Sequence, residues 1–398
     1  MERVRNDLEI REFYGEEIRK FKQLCSVLFF FPMTDKAIDE AIEKDKAMTP
    51  QERGFIRIGA FEDDVMAAME IHKYEVLFNG MPIKMAGIGN VVSSIEARGK
   101  GAIKRIYKKA FEMMRNEGQI VSHLYPFRGD YYRKYGYEVT AEITKWKIPT
   151  EMIHAKADGE IRHFDGSDKM KEDIKNVYNN FIKNKNLSIV NKKWDSFFEQ
   201  IEPYSKSVFP YVHYSNGHPD GYLSYGIKTY DDKIQDIEVK DFWYSDISGI
   251  SGMLNYFSTL KDYSDRVVIP CNDDLSAFCE FNGGWGKRNT DREIEYMGST
   301  RVVDVYEILK LRADKVDLTI ETEDEYCPWN NDIFTVKDGK VTRGGECVDA
   351  KMSIRTFSAL IMGRYEKYEL VPELEIYNKN CDLSKLFPKR EIFIDEHF

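Results

Sequence analysis

The segment over residues 91–103 constrains the fold of this chain most. It reads VVSSIEARGKGAI: an apolar strand, then a loop with Arg98, Lys100 and two glycines, then the start of a helical pattern. In that order, free backbone N–H groups and the positive end of a helix meet at the loop and favour a bound pyrophosphate. The glycine spacing matches neither a Walker sequence nor a dinucleotide fingerprint. The alternative interpretation is a solvated basic turn between a strand and a helix.

The chain is long enough for several domains. Its 398 residues exceed what one ordinary core holds, so two or three domains are expected. Changes of pattern divide it into residues 1–150, 151–295 and 296–398. In the first segment strand and helix patterns alternate. This alternation predicts the α/β class, with a mixed sheet and helices on both of its faces.

Periodic apolar residues locate the main elements of the first segment. Residues 18–28 have apolar side chains at helical spacing, and residues 55–61 and 65–71 flank an acidic turn, as in a hairpin. The second segment repeats this outline, but the loop after its corresponding strand, residues 245–250, contains neither Arg nor Lys. After Gly101, one apolar helical stripe is formed by Ile103, Ile106, Tyr107, Ala110, Phe111 and Met114.

A tyrosine-rich turn follows the next predicted strand. Residues 125–137 read YPFRGDYYRKYGY, and a single helical turn is predicted over residues 131–135, ended by Gly136 in a left-handed conformation. A phenol beside a thioester can donate a proton to a departing thiolate and carries no charge in the ground state. For any one of these tyrosines, simple packing is the alternative interpretation.

Composition excludes several classes of protein. The net charge of −10 disfavours general binding to nucleic acid, which needs a basic surface. No apolar run approaches the ~20 residues of a membrane span, and the N-terminus lacks an apolar signal region. Six cysteines form no CxxC pair, and seven histidines show no metal-ligand spacing. We therefore predict a cytoplasmic protein that binds no metal, no nucleic acid and no membrane.

Together these features resemble a known family over nearly the full length of the chain, the Eis-type (enhanced intracellular survival) N-acetyltransferases. Arg98 and Gly101 match the acetyl-CoA loop of GNAT acetyltransferases, Arg/Gln-x-x-Gly-x-Gly/Ala. Ile103 stands where that pattern usually has a small residue, a departure that the Eis family shares. The stretch over residues 132–137 and the last hundred residues also fit this family.

The resemblance implies an architecture and an activity. Two tandem GNAT folds are expected, a catalytic one over residues 1–150 and a degenerate one over residues 151–295. A sterol-carrier-protein-2-like domain is expected over residues 296–398. The resemblance also implies acetyl-CoA as the co-substrate, acetylation of aminoglycosides at several amines, and assembly as a homo-hexamer.

The resemblance further implies the site residues. Tyr132 is expected to be the general acid that protonates departing CoA, and the α-carboxylate of the last residue, Phe398, to be the base that acts on the amine. Phe127 and Arg128 match a position that touches coenzyme, where the family usually has small and acidic residues. The backbone of three residues is expected to pair with the pantetheine arm like an added strand: Val91, Val92 and Ser93. The pyrophosphate is expected to bind at Arg98, Gly99, Lys100, Gly101, Ala102, Ile103 and Lys104.

A terminal carboxylate needs a physical reason to act as a base, since its reference pKa in water is about 3.3–3.7. Burial raises that value, and relay through water lets the carboxylate orient a proton path. The ending IFIDEHF alternates as a strand does and finishes on the aromatic ring of Phe398. The alternative is an apolar C-terminus that only packs.

Two other functions remain open from the sequence. One is acetylation of protein lysines or N-terminal amines by the same chemistry. The other is a non-enzymatic protein that binds lipids or small molecules through its C-terminal domain. The loop at Arg98–Gly101 argues against the second, because a scaffold without activity does not need a phosphate site.

Overall fold

The structure is a computed structural model that describes residues 8–203, 207–230, 234–279, 290–312, 316–396 and 398. The chain forms two compact units. One combines the residues up to 141 with those from 298 onward, and the other comprises residues 142–297. The chain therefore returns to its first unit after residue 297. The division into three domains after residues 150 and 295 stays a prediction.

The described residues contain helices and strands in alternation. The helices are α1 Ile18–Leu28, α2 Asp35–Ala47, α3 Pro50–Arg53, α4 Ala102–Asn116, α5 Gly129–Arg133, α6 Asp168–Ile182, α7 Trp194–Gln200, α8 Ile247–Ser258, α9 Val305–Lys310, α10 Ile354–Met362 and α11 Leu383–Leu386. The strands are β1 Glu9–Glu12, β2 Phe55–Phe61, β3 Val65–Phe78, β4 Met81–Ser93, β5 Val121–Leu124, β6 Glu138–Val139, β7 Glu142–Pro149, β8 Glu160–His163, β9 Phe209–Ser215, β10 His218–Tyr230, β11 Ile234–Tyr244, β12 Arg266–Pro270, β13 Asp291–Tyr296, β14 Ser299–Val302, β15 Leu318–Glu323, β16 Asp332–Lys337, β17 Lys340–Arg343, β18 Ala350–Ser353 and β19 Leu374–Ile376.

The first sheet has the strand order β1-β2-β3-β4-β5-β14-β6. Strands β4 and β5 run parallel with α4 as their crossover, and the other neighbours are antiparallel. The predicted β2–β3 hairpin is confirmed by its register. Strand β14 comes from the last part of the chain and lies between β5 and β6. The C-terminal segment thus completes the sheet that the N-terminal segment begins.

Helix α4 covers this sheet with the apolar stripe that the sequence predicted. All six residues of the stripe are buried, and the ring of Tyr107 stacks on that of Tyr135 with 4.1 Å between centroids. Burying each large apolar side chain contributes about 1.5–3 kcal/mol to stability. The stripe therefore fixes which face of α4 turns to the sheet, and with it the direction of the helix N-terminus.

The second unit repeats this topology. Its sheet has the order β13-β7-β12-β11-β10-β9-β8, and β11 and β12 are its parallel pair with α8 between them. A smaller third sheet, β17-β16-β15-β18-β19, lies in the C-terminal part of the first unit. The predicted mixed α/β class is confirmed, as is the second copy of the first outline.

The C-terminal tail departs from its sequence pattern. The ending over residues 392–398 alternates as a strand does, but residues 393–396 and 398 adopt no strand conformation, and residue 397 lies outside the described residues. Ile392 and Ile394 are buried as the alternation suggested. The Tyr125 hydroxyl also donates a hydrogen bond of 2.8 Å to the carbonyl of Glu396. Side-chain burial and this bond contribute to holding the tail in place.

A buried arginine connects β14 to the tyrosine turn. Arg301 is fully buried, and its guanidinium donates hydrogen bonds to the carbonyl of Tyr135 and to the carboxylate of Asp324. The same guanidinium lies 4.0 Å from the ring centroid of Phe111. A β-carbon at Gly136, whose φ is +86°, would lie 2.6 Å from Arg301, so this position requires glycine.

Replacing Arg301 by methionine is expected to lower the free energy of unfolding by about 3–5 kcal/mol, because the change leaves the Asp324 carboxylate buried without its counter-charge. Urea denaturation of the two proteins measures the difference. Arg19→Met is the control, since it breaks the exposed Arg19–Asp39 pair and such pairs contribute little. An Arg301→Met midpoint equal to that of the control would contradict this role.

Candidate active site

Strands β4 and β5 separate where the predicted pantetheine-binding segment begins. Their pairing runs from Met85↔Val121 to Ile88↔Leu124 and includes no later residue of β4. Asn90 has φ +48°, and the register of β4 on β3 shifts next to it. Within the residues that the structure describes, the backbone of residues 91–93 consequently has no strand partner on the side that faced β5, as an added strand would require.

The loop after β4 leaves the N-terminus of α4 open. Gly101 is the N-cap residue with φ +74°, and it has no side chain with which to cap the helix. In the described part of the chain, the backbone N–H groups of residues 101–104 have no hydrogen-bond partner. Helices α2, α6 and α10, by contrast, are capped by hydroxyl side chains. Free donors at the positive end of a helix bind anions.

A cleft of about 580 Å³ opens at this helix end. Its walls come from the loop, from the tyrosine turn and from the segment after β15. Seven of the residues predicted to bind coenzyme line the cleft: Ser93, Arg98, Gly99, Gly101, Ala102, Ile103 and Lys104. Tyr131, Lys134, Tyr135, Glu325 and Tyr326 line it too, although the sequence analysis did not name them as site residues.

The basic side chains of the loop differ in their partners. Arg98 is exposed and has no ion-pair partner among the residues that the structure describes. Lys100 forms an ion pair of 2.6 Å with Glu62, and Lys104 one of 2.7 Å with Glu325. Arg98 is therefore the cation most available to an incoming phosphate.

Tyr132 lies in α5, one residue from the cleft-lining Tyr131. Its side chain is buried, and burial raises its pKa well above the usual value for a phenol, so the hydroxyl stays protonated. The ring contacts Phe127 and Tyr131 edge-on, at centroid distances of 5.6 and 5.1 Å. The hydroxyl has no hydrogen-bond partner within the described ranges. It is a neutral acid whose proton is not shared with another side chain.

Phe398 packs on β4 beside the point where the strands separate. Its ring lies 5.2 Å from that of Tyr74 and 5.5 Å from that of Tyr125. A β-carbon at Gly87 would lie 2.8 Å from the Phe398 ring, and one at Gly89 would lie 2.7 Å from its carboxyl carbon. Only glycine at both positions leaves room for the last residue.

A buried carboxylate lies next to this position. The Glu70 carboxylate accepts hydrogen bonds of 2.8 Å from Arg57 and 2.6 Å from Asn90, and His72 Nε2 is 3.6 Å from its Oε2 atom. Burial by itself raises the pKa of Glu70, but the polar contact with His72, the charge of Arg57 and the Asn90 amide outweigh it. The resulting pKa is about 2. The Glu70 carboxylate therefore stays ionised at neutral pH and is paired with Arg57.

Comparison with known protein families agrees with this geometry. Residues 9–140 match the family described as Acetyltransferase (GNAT) domain, and residues 302–394 match the Sterol carrier protein domain. Residues 9–140 form a GNAT acetyltransferase domain. The prediction of an N-acetyltransferase is confirmed by this match, and GNAT domains use acetyl-CoA and an amine acceptor. No curated protein sequence matches the chain significantly.

Several solved structures share the whole architecture of the chain. A probable N-acyltransferase from Enterococcus faecalis V583 is 22% identical with a TM-score of 0.79, over 98% of this chain and 99% of that one. A GCN5-related N-acetyltransferase from Anabaena variabilis is 18% identical with a TM-score of 0.77, over 98% and 100%. Eis1 from Mycobacterium abscessus is 17% identical with a TM-score of 0.78, over 98% and 100%. At these identities the likeness establishes the fold.

In the second unit the corresponding helix, α8, is closed at its N-terminus by a side chain. The Asp246 carboxylate accepts hydrogen bonds from the N–H groups of Ser248 and Gly249, at 2.8 and 3.3 Å. A side-chain carboxylate thus occupies the place where the GNAT acetyltransferase domain leaves its donors free. The predicted lack of a phosphate loop in this unit agrees with this cap.

Other predicted site residues lie outside the cleft. Val91 and Val92 are on β4, and Lys100 points to Glu62. Phe127 is 68% exposed and packs on the tyrosine turn of the GNAT domain. Arg128 forms an exposed ion pair of 2.5 Å with Asp130. The roles of these residues in binding coenzyme stay predictions.

The sequence analysis missed the glycines beneath Phe398. Glycine inside a strand often marks a close approach of another chain segment, and the pair Gly87 and Gly89 within β4 was such a signal. Glu70 and His72 gave no signal, because a charged residue and a histidine in a strand pattern usually face solvent. No group of three His, Cys, Asp or Glu side chains in the described ranges could hold a metal ion. No helix there is both long and apolar enough to cross a membrane.

Replacing Gly101 by alanine is expected to weaken acetyl-CoA binding about 10-fold, or 1.4 kcal/mol, because the new β-carbon projects into the cleft at the helix N-terminus. Gly118→Ala is the matched control. It follows the same helix, has the same φ of +74° and is equally open around its β-carbon. Both changes are expected to cost about 1–2 kcal/mol of stability. Titration calorimetry with acetyl-CoA measures the affinities, and equal losses in the two variants would contradict a phosphate site.

Proposed function

We propose that this protein is an Eis-type acetyltransferase that moves the acetyl group of acetyl-CoA directly to primary amines of a polycationic small molecule, such as an aminoglycoside. One observation carries the proposal: β4 contacts both candidate subsites. Gly89 lies against the carboxyl carbon of Phe398, and Ser93 lines the cleft at the phosphate loop. These two residues are four apart, or about 13 Å along a strand.

The coenzyme subsite is proposed on the open end of α4. The N–H groups of residues 101–104 and the guanidinium of Arg98 would hold the pyrophosphate. The unpaired backbone of residues 91–93 would accept the pantetheine arm as an added strand. The thioester would then lie where β4 and β5 separate, between Tyr132 and Phe398.

The chemistry needs one acid and one base. The neutral amine nitrogen attacks the thioester carbonyl carbon, the carbon–sulfur bond breaks, and CoA leaves as a thiolate. Tyr132 donates its phenol proton to that sulfur and regains one from solvent after CoA leaves, and the carboxylate of Phe398 takes the proton that the amine nitrogen loses. Burial keeps Tyr132 protonated until the thiolate forms.

Negative charge around Phe398 supports a cationic acceptor. Asp395 and Glu396 precede it in the tail, and burial together with their charges raises the pKa of Tyr125. Burial and Glu396 also raise the pKa of Tyr74 to about 12. With the carboxylate of Phe398, Asp395 and Glu396 attract an ammonium and bring it close to the base. An acceptor with several amines gains most from this field.

A thiol-release assay tests the proposal. Acetyl-CoA is offered with an aminoglycoside, a linear polyamine and a lysine peptide, and free CoA thiol is measured. Fastest turnover of the aminoglycoside supports the proposal, whereas fastest turnover of the peptide supports acetylation of proteins. Binding of acetyl-CoA without turnover of any amine would contradict the Eis-type assignment. No binding at all would favour a lipid-binding protein built on the sterol carrier domain.

Two further properties are proposed with this function. By its resemblance to the Eis family we infer a homo-hexamer in the cytoplasm, and light scattering of the purified full chain measures its mass in solution. A monomeric mass of 46.6 kDa would contradict the hexamer and leave the chemistry of the single chain untouched.

A further inference from the structure

An acceptor ammonium gives up two protons when it becomes an amide, and the departing CoA takes one as its thiol. One net proton per turnover must therefore leave the half-buried site. Under the proposed function it is first held by the carboxyl group of Phe398. The rings of Tyr74 and Tyr125 pack against the ring of Phe398 and form an aromatic wall beside this residue. A path to solvent through this wall needs a side chain that can both accept and release a proton.

His72 lies at the required position. A β-carbon on Gly89 would be 3.3 Å from His72 Nε2 and 2.7 Å from the Phe398 carboxyl carbon, so these two atoms are at most 6.0 Å apart. The rings of His72 and Phe398 are 6.1 Å apart and inclined at 33°. The gap fits direct contact or one intervening water molecule.

The Nε2 atom of His72 is polar, buried and unsatisfied. It is inaccessible to solvent and has no hydrogen-bond partner among the residues that the structure describes. The side chain as a whole is 20% exposed, so another part of the imidazole reaches the surface. Leaving a buried polar atom unpaired costs free energy, and such a cost suggests a function for the atom.

A carboxylate and an aromatic ring lie beside the imidazole of His72. Glu70 lies 3.6 Å from Nε2 on the same strand, and its other oxygen is bound by Arg57 of β2. The ring centroid of Phe55 lies 5.1 Å from that of His72. Glu70, which is paired with Arg57, and the carboxyl group of Phe398 are thus acidic groups close to His72.

We propose that His72 relays the proton from the Phe398 carboxyl group to bulk solvent. This inference rests on the proposed function. The carboxyl O–H gives its proton to Nε2, directly or through one water molecule, and the ring becomes an imidazolium. The Nδ1–H then loses its proton to solvent water. The carboxylate is restored, and one proton has left for each acetyl group transferred.

Removing the imidazole tests the relay. His72→Ala is expected to lower kcat about 10- to 100-fold in weak buffer, at or below the lower end of general acid–base effects, with little change in KM for acetyl-CoA. Added imidazole is expected to restore kcat, and methylimidazoles to restore it in proportion to their basicity. His72→Gln fills the same space without a titratable ring, so a low kcat that imidazole does not change is expected.

His123→Ala is the matched control, because its ring is also 6.1 Å from that of Phe398 while its Nδ1 atom is bonded to Thr300. If added imidazole restores kcat equally in both alanine variants, it acts by filling the cavity, and the relay is overturned. A kcat equal to wild type in His72→Gln would also overturn the relay. This variant decides the question if His72→Ala does not fold. A wild-type chain that acetylates no amine contradicts the proposed function itself, and the relay falls with it.

Discussion

Replacing Tyr132 by phenylalanine is expected to lower kcat for amine acetylation at least about 100-fold, as loss of a general acid does, with KM for acetyl-CoA almost unchanged. The reason is that the change removes one oxygen atom, which is not hydrogen-bonded to any described side chain, and keeps the ring that packs on Phe127 and Tyr131. The variant should fold as the wild type does, because no internal hydrogen bond is lost.

Steady-state thiol release at saturating acetyl-CoA measures this effect, and thermal unfolding checks the fold. Tyr131→Phe is the matched control: it lies in the same helical turn and lines the cleft, and its loss of an oxygen atom should leave kcat within about 2- to 3-fold of wild type if only Tyr132 donates the proton. A large loss of kcat in Tyr131→Phe, together with a small one in Tyr132→Phe, would show that Tyr131 and not Tyr132 donates the proton.

Moving the carboxyl group of Phe398 is expected to lower kcat by a similar factor of about 100. Adding one glycine after Phe398 keeps the aromatic ring against Tyr74 and Tyr125 but displaces the carboxylate by up to about 3.5 Å. Because the carboxyl carbon already lies 2.7 Å from where a Gly89 β-carbon would be, the extended chain has no room to fold back into the same place. The amine then has no base at the required distance.

Two companion variants separate the carboxylate from the ring. Deleting Phe398 removes the ring and leaves the terminal carboxylate one residue short of its place. Phe398→Ala keeps the carboxylate in register but loses the aromatic contacts, each contributing about 0.5–1.5 kcal/mol. We expect the extended and the shortened chains to have equally low kcat, and Phe398→Ala to retain more activity at lower thermal stability. An extended chain as active as wild type would show that the C-terminus only packs.

The local parts of the site could be predicted from the sequence because their signals are local. The helical stripe from Ile103 to Met114 determines which face of α4 is buried, and Gly101 just before it places an uncapped helix end after an apolar strand. Hairpin β2–β3 follows from two apolar runs around an acidic turn. In each case the residues that decide the structure lie within one or two turns of one another.

The parts that failed depend on contacts between distant segments. Alternation over residues 392–398 is typical of a strand, but whether an alternating segment forms a strand depends on a free edge beside it, and this tail is held by Tyr125 and by buried Ile392 and Ile394. The insertion of β14 between β5 and β6 was invisible for the same reason.

The sequence by itself determined a strand–loop–helix and a tyrosine turn downstream of it. The N-cap residue of that helix is a glycine, which leaves the helix end open. Only the tertiary structure brought Phe398 onto β4 at Gly87 and Gly89, and placed His72 and Glu70 beneath its carboxyl group. Periodicity records how each segment hydrogen-bonds and which face it buries. It does not record which remote segment covers that face, because shape and volume complementarity across the folded unit decide that contact.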